Sequence, residues 1–181
     1  MRTLAILSTT AGAGVTTLTA LAFARTRHDL NGSPLLCGPA HGPLLNRANG
    51  DEVTALNPHI ALWDAGVRST TEILDLLTTR NVIVAIAVPA TPLGSADAAR
   101  VTAAISSTNP ELLERVTIVH TGIYGYRRPR RTRMGIASLA LPYDRALTQP
   151  GGVPVDPRNY SRRTRTAITA WQNYASWALR T

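Results

Sequence analysis

Ser8-Thr9-Thr10-Ala11-Gly12-Ala13-Gly14-Val15-Thr16-Thr17 follows the apolar run Leu4-Ala5-Ile6-Leu7 and leads into an Ala/Leu-rich stretch. Strand, glycine loop, hydroxyl pair and helix, in that order, make a loop that can cradle phosphate with backbone N–H groups and a helix start. The lysine that such a loop aims at the phosphates is missing, and Val15 stands in its place. All 19 basic Lys+Arg positions are Arg, so no lysine elsewhere in the chain can reach in. A coding preference would turn Lys into Arg, not into Val. The fold and the chemistry of the loop therefore have to be argued separately.

At 181 residues, 44% of them apolar, the chain reads as one globular domain, 1–181, with room for a sizeable core. No apolar run approaches the ~20 residues that span a bilayer. The N-terminus enters a strand at once, with no h-region or cleavage site, so no signal peptide is expected. A lone Cys37 excludes an internal disulfide framework and fits a reducing cytoplasm. His28, His41, His59 and His120 are scattered, with no metal-ligand spacing and no identifiable nucleophile–base partner.

The pattern predicts strands at Thr3–Ser8, Pro34–Cys37, Ile60–Trp63, Val82–Val88, Val116–His120 and Ile136–Leu141. It predicts helices over Thr16–Arg27, Thr70–Thr79, Ser95–Ser107 and Tyr160–Leu179, a Gly/Pro loop to Gly50, and a basic loop over 122–135. Strands alternate with helices, and Val82–Val88 is continuous and β-branched. The expected class is α/β: a doubly wound, mostly parallel sheet with helices on both faces, the first loop lying at its carboxyl edge.

Four segments together resemble the ParA/MinD branch of phosphate-loop proteins, whose loop runs Lys-Gly-Gly-x-Gly-Lys-Thr-Thr. Gly12, Gly14, Thr16 and Thr17 match it, while Thr10 and Val15 replace its two lysines. The family's Asp-x-Asp-Pro-x-x-Gly segment is similar to Leu36-Cys37-Gly38-Pro39-Ala40-His41-Gly42, without either carboxylate. The acidic residue after the third strand is retained in Asp64-Ala65-Gly66, expected here as a turn at a strand end. The strand ending His120-Thr121 lacks the Asn that meets a base, and Leu141-Pro142-Tyr143-Asp144 resembles the family's late Pro-Tyr/Phe-Asp segment. The resemblance implies a P-loop NTPase-like fold, and the same residues argue against turnover. Phosphoryl transfer needs charge neutralised on the phosphate oxygens, and Val15 offers an apolar branch where the cation belongs. A vestigial or weak nucleotide loop is expected at Gly12, Gly14, Val15, Thr16, Thr17 and Asp64, with no catalytic residue, no metal and no cofactor. ATP with magnesium is the lesser alternative.

The charge sits elsewhere. Residues 127–180 hold eleven Arg against Asp144 and Asp156, a balance of +9, so the formal net charge of +8 belongs to this third. Tyr124 and Tyr126 precede Arg127, Arg128, Arg130, Arg131 and Arg133, and Arg158, Arg162, Arg163 and Arg165 gather at the start of the last helix. Arg forks match phosphate oxygens, and several such contacts give sequence-independent, salt-sensitive binding. Three Arg at a helix N-terminus oppose the macrodipole, which suggests a use other than helix stability. The closing helix places Ile168, Trp171, Ala175, Ala178 and Leu179 on one stripe, suited to docking on the sheet; a membrane helix is the disfavoured reading.

The expectation is thus a catalytically inactive, ParA-like protein that binds non-specific DNA and self-associates as a dimer or polymer, in partition or positioning of DNA. It would be cytoplasmic and nucleoid-associated, with room for a small partner protein. One alternative is a MinD-like positioning or scaffold factor of a secretion or pilus system, acting through a protein or a membrane surface. The other is an atypical weak ATPase.

Overall fold

A computed structural model describes residues 1–29, 32–38, 41–48, 56–122, 136–154 and 156–180. Six strands form one sheet: β1 (Arg2–Ser8), β2 (Ser33–Cys37), β3 (Leu56–Val67), β4 (Val82–Pro89), β5 (Val116–Thr121) and β6 (Ser138–Leu141), in the order β2-β3-β1-β4-β5-β6. Every pairing is parallel. The fold is therefore α/β and doubly wound, as the alternation of elements predicts.

Both faces of the sheet are covered, which is why its central strands are apolar without alternation. On one face Leu4, Ile6, Leu62, Ala85 and Val119 meet α1 (Val15–Asp29), α2 (His41–Ala48) and α6 (Arg162–Arg180). On the other, Ala5, Leu7, Val84, Ile86 and Ile118 meet α3 (Thr70–Thr78) and α4 (Pro92–Thr108). The 3-10 turns Pro110–Arg115 and Pro157–Asn159 and the short α5 (Arg145–Thr148) complete the described elements.

Local chemistry fixes the ends. Ser69 and Glu72 form a reciprocal capping box at the start of α3. Thr91 caps α4, and Pro92 occupies its first turn. That turn lies so close to β4 that a Cβ on Gly94 would fall 2.1 Å from the Pro89 carbonyl oxygen.

Two expectations are corrected. The stretch ahead of Gly50 is not all loop, because α2 runs from His41 to Ala48. Pro43 falls in its first turn, where an amide has no intrahelical acceptor to lose, and the completely buried Leu44 and nearly buried Ala48 anchor it. Asp64-Ala65-Gly66 is likewise not a turn after the strand but lies inside β3, which spans twelve residues. Ile6 pairs with Asp64 and Leu7 with Gly66, so Ala65 is an extra residue, and Gly66 adopts φ +67°. This bulge keeps the strand going while re-aiming Asp64.

α6 docks as expected. Ile168, Trp171, Ala175, Ala178 and Leu179 are all buried. Trp171 Nε1 donates to the Leu18 carbonyl at 2.9 Å and Gln172 Nε2 to that of Leu21 at 3.1 Å, fastening α6 along α1. Among the described residues no helix is long and apolar enough to cross a membrane.

Candidate functional site: the glycine loop and the arginine face

The loop leaves β1 at the carboxyl edge of the sheet, between β3 and β4, where such folds bind ligands. Ser8 Oγ donates to the Thr10 carbonyl at 2.8 Å and accepts the Thr10 amide at 3.0 Å. Gly12 and Gly14 take φ +74° and +85°, left-handed values that glycine adopts without strain. α1 then begins, its first closed bond running from the Leu18 amide to the Gly14 carbonyl at 3.0 Å. The amides of Val15, Thr16 and Thr17 precede any intrahelical acceptor, as at every helix start.

Two neighbouring strands hold the loop. From β3, Asp64 Oδ2 accepts the Thr16 hydroxyl at 2.6 Å while Oδ1 accepts the Gly66 amide at 3.1 Å, and this carboxylate is only 5% exposed. From β5, the buried Thr121 hydroxyl lies 2.9 Å from the Ala13 carbonyl and 3.2 Å from that of Val88. Where the family-like pattern would place an Asn for a base, this chain has a threonine beside a loop clamp.

Val15 does not stand open over the cradle, as the sequence suggests. It is 9% exposed and joins the core around Leu18 and Phe23, because an apolar side chain on the first turn of α1 gains by burial. The position of the second family carboxylate is also closed. A Cβ on Gly38 would lie 3.1 Å from both Asp64 Cβ and Leu44 Cδ2, so the end of β2 rests directly on Asp64. Leu36, at the first carboxylate position, packs against the core.

Arg47 of α2, one arginine among many in the sequence, also lies near the loop. Its Nη1 donates to the carbonyls of Gln149 at 2.6 Å and Gly151 at 2.8 Å, and its Nη2 donates to that of Leu147. Nη2 also lies 3.5 Å from Thr17 Oγ1, and the Arg47 carbonyl accepts the Val153 amide at 2.9 Å. Burial lowers its guanidinium from the usual range. Arg47 is a clip that ties α5 and the segment after it to α2, its Nη donors reaching three carbonyls and the Thr17 hydroxyl.

Beside Gly14, Thr17 and Thr121 the space is small, a cavity of about 70 Å³ walled by Leu141, Tyr143 and Leu147. Sites for drug-sized ligands run to ~300–1,000 Å³. Neither the buried Val15 nor Arg47, bonded to carbonyls, supplies the loop with the side-chain cation that the family-like pattern places there. Among the described residues no group of three or more His, Cys, Asp or Glu could hold a metal.

The arginine face is placed in part. Arg127, Arg128, Arg130, Arg131 and Arg133 lie outside the described residues. Arg158 is paired with Asp156, Nη2 to Oδ2 at 2.8 Å, so much of its charge is answered locally. Arg162, Arg163 and Arg165 are exposed on the first turn of α6. The dipole argument needs adjustment, because the helix start is well capped. Ser161 Oγ accepts the Thr164 amide at 3.2 Å, and Asp144 Oδ2 accepts the Ser161 amide at 3.1 Å. A cap and a carboxylate at this end offset what the arginines oppose.

Asp144 also caps α5 by accepting the Ala146 amide at 3.0 Å. Desolvation alone would raise its carboxyl, but hydrogen bonds from Thr164, Ala146 and Ser161 outweigh it and hold it below the usual value. The late Pro-Tyr-Asp segment thus serves here to join two helix starts. His120 stays at a strand end, as expected. It is buried, its Nδ1 has no partner among the described residues, and desolvation lowers its imidazole.

No protein-family model matches this chain, and no curated protein sequence matches it.

Proposed function

We propose that this chain is a nucleotide-independent binding protein on a P-loop-like α/β frame, which holds non-specific DNA through exposed arginines and self-associates. The observation that carries this reading is the closure of the loop from within. Val15 lies in the core, and Thr16 is bonded to Asp64 at 2.6 Å, with the carboxylate's second oxygen on Gly66. Among the described residues, the first turn of α6 exposes Arg162, Arg163 and Arg165 beside an answered cap. Their planar forks suit backbone phosphates and carry no base information.

The reading places the protein in partition or positioning of DNA, in a cytoplasmic, nucleoid-associated role. The membrane form of the scaffold alternative is not favoured, because the apolar stripe of α6 is occupied by α1.

Duplex DNA binding, measured by anisotropy with and without ATP and magnesium, tests it. The expected result is unchanged affinity on adding nucleotide and a steep fall between about 50 mM and about 200 mM salt. Binding that requires ATP, or that ignores salt, overturns it.

A further inference from the structure

β6 is the outer strand of the sheet, and its backbone geometry leaves a usable edge. The Ile118 amide donates to the Ala137 carbonyl at 3.1 Å and the Gly122 amide to that of Leu141 at 2.8 Å, with Ile118 in register with Ser138. In a parallel ladder alternate residues turn both backbone groups to one neighbour. Residues 137, 139 and 141 therefore face β5, and the N–H and C=O of Ser138 and Ala140 face outward. Among the described residues no further strand pairs with them. Pro142, without an N–H, stops the edge there.

A groove of about 570 Å³ runs beside this edge, lined by Ala140 and Pro142 on one side and by Arg162, Arg163, Ala167 and Ala170 of α6 on the other. Leu139 and Leu141 turn into the core that α6 covers, so Ala140 enters the lining at the strand's edge rather than through that face. A strand added to β6 would direct alternate side chains into this groove, over small residues and toward two arginines.

We propose that the β6 edge is a docking site for an extended, acidic segment of a partner protein, paired to Ser138 and Ala140 with its carboxylates on Arg162 and Arg163. Charge selects this occupant. A second copy pairing β6 to β6 would bring two Arg162/Arg163 pairs to one seam between chains of net charge +8. An apolar trough beside backbone groups that no described strand pairs suits a polypeptide and adds nothing to contact with a duplex. The site shares Arg162 and Arg163 with the DNA reading above and differs from it in using the β6 edge, which Ala140→Pro tests.

The test uses a fluorescein-labelled peptide of alternating valine and glutamate. Two further versions are N-methylated on one or the other set of alternate residues, so that one of them cannot donate to β6. The protein is compared with Arg162→Glu/Arg163→Glu and with Ala140→Pro, whose new ring replaces an outward-facing N–H. The expected results are binding to the full chain, loss with one N-methylated peptide only, and weakening by about tenfold or more in the double arginine variant. Ala140→Pro should lose the peptide and keep duplex DNA. The arginine variant and the methylated peptides decide the matter should Ala140→Pro fail to fold. No binding, equal binding of both methylated peptides, parallel loss of DNA binding in Ala140→Pro, or a dimer in sedimentation that Ala140→Pro abolishes would each overturn the proposal.

Discussion

The Thr16 hydroxyl donates to Asp64 Oδ2 at 2.6 Å, joining the first turn of α1 to the bulged segment of β3. The bond spans 48 residues of sequence and uses the two groups that a phosphate-loop protein would turn toward a metal ion. In this chain the pair is a structural tie. Asp64→Ala would leave the Thr16 hydroxyl and the Gly66 amide without their acceptor. A carboxylate this buried makes the loss about 1.5–3 kcal/mol. Chemical denaturation should show that loss while DNA affinity holds. ATP turnover present in the parent and absent in this variant would instead restore the ATPase reading.

Val15→Lys restores the residue that the loop lacks, and it should not restore activity. The side chain would leave a core position beside Leu18 and Phe23, and Gly38 sits where the second family carboxylate would be. We expect a destabilisation of about 1–3 kcal/mol and no nucleotide turnover. A phosphate-release assay run alongside thermal unfolding reads both.

The central sheet was legible in the sequence because its signals are local and strong. Leu4–Leu7 and Val82–Val88 are continuous apolar runs, and Gly12 and Gly14 sit where the backbone needs left-handed angles. α2 was hidden because glycine and proline crowd its start, and a proline in a first turn looks the same in sequence as one in a loop. The length of β3 was hidden by Asp-Ala-Gly, ordinary turn chemistry that here forms a bulge. Arg47 had no signal at all: it is one arginine among many, and its acceptors lie 100 to 104 residues away. Asp144 stands out in sequence for its motif, but its role depends on α5 and α6 meeting at one carboxylate.

Thr121 should control the mobility of the loop. Thr121→Val keeps the shape and removes the hydroxyl that lies 2.9 Å from the Ala13 carbonyl and 3.2 Å from that of Val88. The expected cost is about 0.5–1.5 kcal/mol. Amide hydrogen exchange should quicken over residues 8–17 and remain unchanged in α3. Uniform quickening across the sheet would assign Thr121 a general packing role instead.

Stability should fall in two steps as the solution is acidified. Desolvation lowers the buried His120 below its ordinary 6.5, so the unfolded chain takes up the proton first. The stability it lends is present above that value and drains away as pH falls toward its folded pKa. Asp144 is likewise held below its ordinary 3.8, so its contribution is complete above that value and is lost in more acidic solution. Urea midpoints measured from pH 7 downward should decline first near neutrality and again in acid. His120→Gln should remove the first decline and Asp144→Asn the second.

The central claim is that exposed arginines, not the glycine loop, carry the binding. Its most direct test is the salt dependence of duplex DNA affinity for the parent chain and for Arg162→Gln/Arg163→Gln/Arg165→Gln. Each lost phosphate contact should reduce the slope of log K against log salt by about 0.9, so the triple variant should show a slope shallower by up to about 2.7, with lower affinity and an intact fold. An unchanged slope and affinity would contradict the account.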